Sequence, residues 1–430
     1  MKRKIENKLL EWKNKSSDRK PLLLYGARQV GKTYILREFG RRFYKNVVYI
    51  NLETNTAVSS YFDENIAPAK IIRYLEATVN EEIQPEHTLI ILDEIQSCER
   101  ALTSLKYFCE EAPEYHIAAA GSLLGVAINR KQYSFPVGKV DSMTLYPLDF
   151  EEFMWALGEE MLCYEIHSCY IEMKPLVDGL HKKAIDTYRL YLIVGGLPAA
   201  VLNFTKNGKL LDVPSVQNEI ISNYIADMAK YASNSDSVKI RACYNSIPAQ
   251  LGKDNRKFQY KVVQKGGTAT IFGASIEWLL MAGVVIKCQK TDQGTDPISV
   301  YSDLSSFKLY MSDVGLLVMK SGISHQTILS GGDNIFMGAL TENYVASQIV
   351  AKGDNLHYWE SDYSAEVDFV IQRNGEIYAI EVKSGEHTKS KSLNLFIEKY
   401  KPTYAIRLSL KNFGETDKIK SIPLYAAYCI

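Results

Sequence analysis

The chain has 430 residues, and its 50 Lys and Arg against 50 Asp and Glu give a formal net charge of +0, which neither favours nor excludes a polyanionic partner. Hydrophobic residues at 46% and charged residues at 23% exclude a disordered or fibrous protein and predict two to four globular domains. The seven cysteines form no Cys-x-x-Cys pair, and no apolar run reaches the length that a bilayer requires, so we expect a cytoplasmic protein with reduced thiols and no membrane partner.

The first 157 residues alternate short apolar runs with longer amphipathic stretches. This pattern is typical of a parallel sheet whose strands are joined by crossover helices. Residues 1–157 are therefore predicted to form an α/β domain. The four apolar runs are PLLLYG, VVYINLE, TLIILDE and HIAAAGS.

Three further regions follow. Residues 158–232 have a helical spacing of tyrosines and leucines, and the serine-rich stretch 231–237 reads as a linker. Within 233–312, helices precede two strands, which suggests a winged-helix-like region. Residues 313–430 return to helix, strand and hairpin patterns, so the predicted fold class is a multidomain α/β protein.

The stretch GARQVGKT matches the pattern G-x-x-x-x-G-K-[ST]. It follows an apolar strand and precedes the helical run TYILREFG, which is the context that a phosphate-binding loop requires. Backbone N–H groups of such a loop and the positive end of the helix bind phosphate oxygens. The predicted ATP-binding residues are Gly26, Ala27, Arg28, Gln29, Val30, Gly31, Lys32 and Thr33.

Individual roles follow from charge and chain order. Lys32 is expected to neutralise the β- and γ-phosphates, and Thr33 to bind Mg²⁺ with Asp93, which ends the buried strand TLIILDE. Glu94 is predicted to polarise the attacking water, which favours a hydrolase over a kinase-like protein. Ser122 follows the next strand and is predicted to contact the γ-phosphate.

These motifs resemble a family, the bacterial and archaeal AAA-type P-loop ATPases whose C-terminal half carries a domain of unknown function. The resemblance also includes LYPLDFEEF, YLIVGGLPAAV, FKLYMSDVGLL and GALTENYV, and it extends over nearly the whole chain. It implies an ATPase core, a helical lid at 158–232, a winged-helix-like region and a restriction-endonuclease-like domain at 313–430. Where the family often has an arginine before Leu-Tyr-Pro-Leu, this chain has Lys139, so the identity of any arginine finger stays open and nothing selects Arg130.

A hairpin is predicted where Asn374 and Gly375 separate two alternating runs, because both central residues of a type I′ turn need positive φ. Paired residues then have numbers that sum to 749, so Asp368 faces Glu381. One face is predicted to be a core of Val367, Phe369, Ile371, Tyr378, Ile380 and Val382. The other face gathers Glu366, Asp368, Glu381 and Lys383.

Two opposed carboxylates need a cation between them. A divalent metal at Asp368 and Glu381, with Lys383 holding a water or a phosphate oxygen, suits phosphodiester hydrolysis. This spacing resembles that of restriction-endonuclease-like nucleases, and the resemblance adds Glu342 as the acidic residue from a preceding helix. The alternative is a solvated ladder of salt bridges on a domain without nuclease activity.

Other features indicate packing or weaker binding. GGLP at 195–198 is expected to fix packing at a turn, and the basic N-terminal arm, which includes Arg3, is interpreted as a solvated helix face. Basic and aromatic residues alternate in KFQYKVVQKGG at 257–267, which suits contact with DNA or RNA.

The sequence thus predicts an ATP-hydrolysing protein whose nucleotide state controls a DNA-binding or nuclease-like C-terminal module. One alternative is a signalling or scaffold ATPase with an inactive nuclease-like interaction domain. Another is an ATPase whose nuclease is a separate partner protein. Assembly into a homo-oligomer stays open.

Overall fold

The computed structural model describes residues 1–121, 136–332, 334–361, 365–385, 391–416 and 418–430. They form two compact units. The first unit contains residues 3–146 and 281–283, and the second contains residues 1–2, 147–280 and 284–430. Across the described ranges, every helix is too short or too polar to cross a membrane.

The first unit is built on a parallel sheet, as the alternating pattern predicts. Its strand order is β2-β3-β4-β1-β5. Strands β3 and β4 are buried along their whole length because they lie inside the sheet, which explains the apolar runs Leu89–Leu92 and Ile117–Ala120. The edge strand β5 was not predicted. The strands are β1 (Leu22–Tyr25), β2 (Asn46–Asn51), β3 (Thr88–Asp93), β4 (His116–Ala120) and β5 (Asp141–Thr144).

The helices of this unit are amphipathic and bury one face each. Helix α2 buries Ile35, Leu36 and Phe39, which share one side of the helix. The bounds are α1 (Ile5–Lys13), α2 (Lys32–Phe43), α3 (Thr56–Glu64), α4 (Pro68–Val79) and α5 (Glu99–Glu111), with a 3₁₀ helix at Ile95–Ser97.

The second unit begins with helices, in agreement with the helical pattern of the sequence. The first of them starts at a capping box in which Asp149 accepts from the N–H of Glu152 at 2.9 Å. The helices are α6 (Phe150–Ala156), α7 (Glu160–Glu172), α8 (Asp178–Val194), α9 (Pro198–Asn207), α10 (Val213–Tyr231) and α11 (Asn234–Leu251), with a 3₁₀ helix at Leu210–Asp212.

The predicted linker at 231–237 is wrong. Only two residues separate α10 from α11. The Ser233 hydroxyl accepts from the N–H of Asp236 at 3.2 Å, so this serine caps α11. Serine favours both linkers and helix N-caps, and the two cannot be told apart by composition.

A one-turn helix, a longer helix and a hairpin follow α11. Strands β6 and β7 pair antiparallel, and Lys257, which lies between α11 and α12, forms a bridge with Lys308 of β7. A 3₁₀ helix at Ile298–Tyr301 lies in the connection between the strands. The bounds are α12 (Tyr260–Val263), α13 (Ala269–Met281), β6 (Val285–Thr291) and β7 (Ser302–Met311).

This hairpin also belongs to a mixed eight-stranded sheet of order β12-β13-β11-β10-β9-β8-β6-β7. The predicted boundary at residue 312 is therefore wrong, because β6 pairs directly with β8. The additional elements are β8 (Leu356–Glu360), β9 (Glu366–Arg373), β10 (Glu376–Val382), β11 (Ala405–Ser409), β12 (Gly414–Thr416), β13 (Ile419–Pro423), α14 (Val314–Ser321), α15 (His325–Ser330), α16 (Met337–Ala351), α17 (Lys391–Tyr400) and a 3₁₀ helix at Leu424–Cys429.

The GGLP turn has a packing role. A Cβ atom on Gly196 would lie 2.0 Å from the carbonyl oxygen of Leu148, and one on Gly195 would lie 2.3 Å from an Asp313 carboxylate oxygen. Gly195 also has φ +74°. Both positions therefore require glycine. At Gly196 the reason is the close approach to Leu148, and at Gly195 it is both the close approach to Asp313 and the positive φ.

Candidate functional site

The loop between β1 and α2 has the backbone that phosphate binding requires. Gly26 has φ 144° and Gly31 has φ 95°, values that side chains with a Cβ atom adopt rarely. A Cβ atom on Gly26 would also lie 2.2 Å from the carbonyl oxygen of Leu145. Gly31 precedes α2 and offers no side-chain cap, so the N–H groups of the first turn can serve an anion.

The side chain of Lys32 lies inside this loop and donates hydrogen bonds to its backbone. Its Nζ atom donates to the carbonyl oxygens of Gly26 at 2.9 Å and Ala27 at 2.8 Å. The side chain is buried, so a charged ammonium is held within the curl of the loop. It lies where a bound phosphate would meet both this cation and the N-terminus of α2.

Thr33 and Asp93 meet, as their predicted role in binding magnesium requires. The Thr33 hydroxyl donates to Asp93 Oδ2 at 2.7 Å. Asp93 ends β3, and Thr33 is in the first turn of α2. A hydroxyl and a carboxylate are ligands that Mg²⁺ prefers, so these two residues fit the ion.

Tyr49 is a member of this site that the sequence analysis missed. Its hydroxyl donates to Asp93 Oδ2 at 3.0 Å, to the same oxygen that accepts from Thr33. Strand β2, which carries Tyr49, pairs with β3 in register up to Asn51 and Asp93. A hydroxyl within the apolar run VVYINLE was the signal that could have indicated this role.

Glu94 follows Asp93 with a left-handed backbone, φ 49° and ψ 44°. Such a conformation costs about 1 kcal/mol or more for a residue other than glycine and recurs at functional sites. Gln96 Nε2 donates to Glu94 Oε2 at 2.5 Å, so the amide orients the carboxylate. Ser122 and Arg130 lie outside the described residues. Lys139 forms a salt bridge with Glu110 at 2.9 Å.

Arg3 is buried, which corrects its interpretation as part of a solvated helix face. One guanidinium nitrogen donates to the carbonyl oxygen of Val30 at 3.1 Å, and another donates to that of Tyr146 at 2.7 Å. Because Val30 belongs to the phosphate loop, the hydrogen bond from Arg3 helps to hold the backbone of that loop in place. Its sequence context, a run of basic residues, gave no signal that this one is buried.

In the second unit, the hairpin turn occurs where it was predicted. Asn374 has φ 51° and Gly375 has φ 80°. The paired residues run from Glu376 with Arg373 to Ile380 with Phe369, and the numbers of each pair sum to 749.

The regular pairing of β9 with β10 ends before Asp368. Its Oδ2 atom accepts from the backbone N–H of Val382 at 2.7 Å, so a carboxylate takes the place of a ladder carbonyl. The pairing of β8 with β9 shifts register between His357 and Trp359. This irregularity puts Val367 in a hydrophobic cluster with Val370 and Ala379. The prediction that Val367 shares a face with Phe369 is therefore wrong, because period-two alternation fails at a bulge.

Glu381 is buried and only partly paired. Lys383 Nζ lies 3.0 Å from Glu381 Oε1. Glu381 Oε2 is buried without a hydrogen-bond partner among the described residues, and the side chain is 4% exposed. A buried carboxylate oxygen without a donor is costly, so this atom is a candidate ligand for a cation.

Glu342 has other partners than the hairpin. It forms a short ion pair with Arg256, accepts from the Tyr310 hydroxyl at 3.0 Å and lies 3.7 Å from Lys308 Nζ. Lys308, fully buried, also pairs with Glu366. Two cations therefore neutralise Glu342 and Glu366. In the described ranges, no three His, Cys, Asp or Glu side chains form a group that could hold a metal ion.

Three protein families match parts of the chain. Residues 18–154 match a family described as an AAA domain. Residues 185–327 and 337–427 match two families described as domains of unknown function, DUF8612 and DUF4143. No curated protein matches the chain.

Solved structures with partial similarity include ORC2 from Aeropyrum pernix, at 12% identity and a TM-score of 0.37, covering 79% of this chain and 90% of that one. The Thermotoga maritima RuvB branch migration motor aligns at 13% identity and a TM-score of 0.31, covering 66% and 89%. PCH-2 from C. elegans aligns at 13% identity and a TM-score of 0.29, covering 48% of this chain and 61% of its own length, less than two thirds.

The family match and the parallel sheet agree on the first unit. The matched residues include the phosphate loop, β3 with Asp93, and all five strands of that sheet. Residues 18–154 therefore match an AAA domain over the part of the chain that carries the P-loop and the parallel sheet.

Proposed function

We propose that the first unit binds ATP with Mg²⁺ and hydrolyses it. The observation that supports this most directly is the 2.7 Å hydrogen bond between Thr33 and Asp93 beside the buried ammonium of Lys32. Magnesium, when bound, would withdraw negative charge from the phosphates. Thr33 and Asp93 would hold the ion, and Lys32 would exchange its loop carbonyls for phosphate oxygens.

Glu94 is the proposed general base for water. Its backbone is left-handed, and Gln96 Nε2 donates to one of its carboxylate oxygens. Ser122, two residues beyond the end of β4, is proposed as the γ-phosphate contact. Strand β4 lies between β1 and β3 in the sheet, so its carboxyl end adjoins both motifs.

The test is ATP hydrolysis by the full chain and by variants. Lys32→Ala should lose nucleotide affinity, and Glu94→Gln should keep it while kcat falls at least about a hundredfold. Lys70→Ala removes an exposed lysine of α4 in the same unit and is the matched control. Hydrolysis by Lys32→Ala at the rate of the unmodified protein would contradict the proposal.

We further propose that nucleotide state controls the second unit, which binds DNA or RNA. Helix α11, the bridge at Lys257, helices α12 and α13, and the β6–β7 hairpin follow one another in winged-helix order. The basic stretch 257–267 lies in that segment. Weaker nucleic-acid binding by Lys261→Ala and Lys265→Ala together, with folding retained, would support this role.

The hairpin is proposed to hold a divalent cation between Asp368 and Glu381, with Lys383 beside it. The buried, unpaired Oε2 of Glu381 supports this site. Glu342 is not part of it, because its carboxylate is already paired with Arg256 and Lys308. The proposed site therefore consists of Asp368 and Glu381 as ligands, with Lys383 beside them.

A thermal shift measurement separates a cation site from an inactive relic. Mn²⁺ should raise the melting temperature of the Lys32→Ala protein, in which the nucleotide site is impaired, and Asp368→Ala should remove that increment. Glu415→Ala removes an exposed carboxylate of β12 and should keep it. If Mn²⁺ gives no increment, the scaffold alternative, with an inactive nuclease-like interaction domain, is favoured.

A further inference from the structure

A basic groove adjoins the candidate nucleotide site in the first unit. Residues of α2 and β2 line a cavity of about 740 Å³, and Thr33 is among them. Three exposed cations line the same cavity, Arg37, Arg41 and Lys45. The phosphate-loop motif at 26–33 does not include them, and the ATPase chemistry does not use them.

Two of these cations have no acidic partner. Arg41 forms a salt bridge of 2.9 Å with Glu38, and Glu38 also lines the groove. Arg37 and Lys45 form no ion pair with any described residue. Arg37 and Arg41 are four residues apart on α2 and therefore lie on the same face of the helix. The groove thus presents an excess of positive charge that an anion would neutralise.

The groove is physically connected to the magnesium ligands. The guanidinium of Arg37 lies 4.9 Å from the centroid of the Tyr49 ring. The hydroxyl of that tyrosine donates to Asp93 Oδ2, which also accepts from Thr33. A ligand that moves Arg37 therefore acts on the ring that orients Asp93.

We propose that this groove binds a single strand of nucleic acid and that Arg37, Tyr49 and Asp93 transmit its occupancy to the nucleotide site. The inference rests on the proposed ATPase function. Phosphates along a strand match the cations of the groove, and Tyr34, 52% exposed at its wall, offers a ring on which an unpaired base can stack. Base faces are open in a single strand and covered in a duplex.

The coupling has a direct physical cause. A phosphate oxygen makes a charge-assisted hydrogen bond with a guanidinium, and this bond is stronger than the attraction of an exposed cation to an aromatic face. Bound phosphate therefore draws Arg37 away from Tyr49. The tyrosine is then less restrained, and the geometry of Asp93 at the ion changes with it. Tyr49 acts here as a positioning residue.

Binding is tested with the full chain and a fluorescent oligothymidylate of about 15 nucleotides, a length that covers the usual site size. Arg37→Ala and Lys45→Ala should each weaken binding about tenfold, the effect of losing one charge-assisted hydrogen bond. Each should also reduce the slope of log affinity against log salt by about 0.7. Lys70→Ala, on α4, should leave both quantities unchanged.

Coupling is tested by the ratio of ATP turnover with the oligonucleotide to turnover without it. The ratio should differ from one in the unmodified protein and approach one in Tyr49→Phe, which retains the ring and loses the hydroxyl. Tyr49→Phe should also raise the Mg²⁺ concentration that gives half-maximal turnover. Arg37→Lys retains the charge without the planar stack and should lose the coupling while binding weakens less than in Arg37→Ala.

Three results would overturn the inference. They are unchanged oligonucleotide binding by Arg37→Ala, an unchanged turnover ratio in Tyr49→Phe, and equally tight binding of polyglutamate or of a duplex of the same sequence. If the unmodified protein does not hydrolyse ATP, the proposed function fails separately. Coupling is then measured as the change that the oligonucleotide makes in nucleotide affinity, with the same variants and the same expected losses.

Discussion

The carboxylate of Asp313 accepts a hydrogen bond of 2.6 Å from the backbone N–H of Gly196, although 117 residues separate them in the chain. It also accepts from the N–H of Leu316 at 3.0 Å and is the N-cap of α14. Gly196 lies two residues before α9. One buried side chain therefore fixes the beginnings of two helices from distant parts of the second unit.

We expect Asp313→Ala to lower the free energy of unfolding by about 3 kcal/mol, because at least two buried N–H groups lose their acceptor. Chemical denaturation of the second unit measures this. Ser233→Ala removes the exposed cap of α11 and should cost about 1 kcal/mol or less. Equal losses in the two variants would show that burial of the Asp313 contacts adds nothing.

The same residue predicts a pH dependence of stability. Burial outweighs the N–H donors and raises the pKa of Asp313 from 3.8 to about 6. Between these pH values the folded protein holds a proton that the unfolded chain releases. The contribution of Asp313 to the free energy of unfolding is therefore largest below pH 4 and falls by about 3 kcal/mol as the pH rises through 6. Asp313→Asn, which does not titrate, should remove this fall in denaturation curves recorded from pH 4 to pH 7.

His116 predicts a dependence of the opposite sign in the first unit. Burial lowers its pKa from 6.5 to about 4, and its Nδ1 atom lies 2.7 Å from the Tyr44 hydroxyl. The unfolded chain gains a proton below pH 6.5, whereas the folded protein does so only near pH 4. Stability should therefore fall by about 3 kcal/mol as the pH falls through this window.

His116→Gln should flatten that dependence, measured by denaturation of the first unit at several pH values. His87→Gln changes an exposed histidine of the same unit and should keep the slope of the unmodified protein. An unchanged slope in His116→Gln would assign the pH dependence to other groups.

Gly196→Ala should be strongly destabilising. Its Cβ atom would meet the carbonyl oxygen of Leu148, a backbone atom that cannot move aside as a side chain can. We expect a loss of about 3 kcal/mol. Gly179→Ala, near the start of α8, meets nothing within 4 Å and should be neutral or gain up to about 1 kcal/mol. Thermal unfolding of both variants gives the comparison, and similar melting temperatures would contradict it.

Arg3→Met keeps most of the side-chain volume and removes both hydrogen bonds, to Val30 and to Tyr146. We expect nucleotide affinity to fall roughly tenfold, because the phosphate loop loses its support. Lys8→Met, on the exposed face of α1, should leave the affinity unchanged. Titration with a fluorescent ATP analogue measures both, and equal affinities in the two variants would show that Arg3 does not support the loop.

The sequence predicted those parts of the fold in which local chemistry determines local structure. Gly26, Gly31 and the turn at Asn374 and Gly375 need backbone conformations that few residues adopt, so their positions could be assigned without coordinates. Asp93 could be placed for a related reason, since a fully apolar run that ends in a carboxylate is typical of a buried strand ending at a site.

The missed features depend on contacts between distant residues. Tyr49 reaches Asp93 only because β2 and β3 pair in register, and Arg3 is buried only because a loop 27 residues away covers it. The irregularity at Asp368 changes the face of Val367 without any glycine to indicate it. Period-two alternation assumes an unbroken ladder, so it could not predict this.

The β6–β7 hairpin directly follows α13 in the chain, and it also forms one end of the eight-stranded sheet. A fragment that starts after Ser312 would leave the outer backbone groups of β8 without their neighbour β6, open to pairing with other molecules. Such a fragment should aggregate when expressed by itself. Any movement of β6 and β7 must likewise displace or bend β8, so this strand pair is mechanically tied to the acidic β9–β10 hairpin, which pairs with β8.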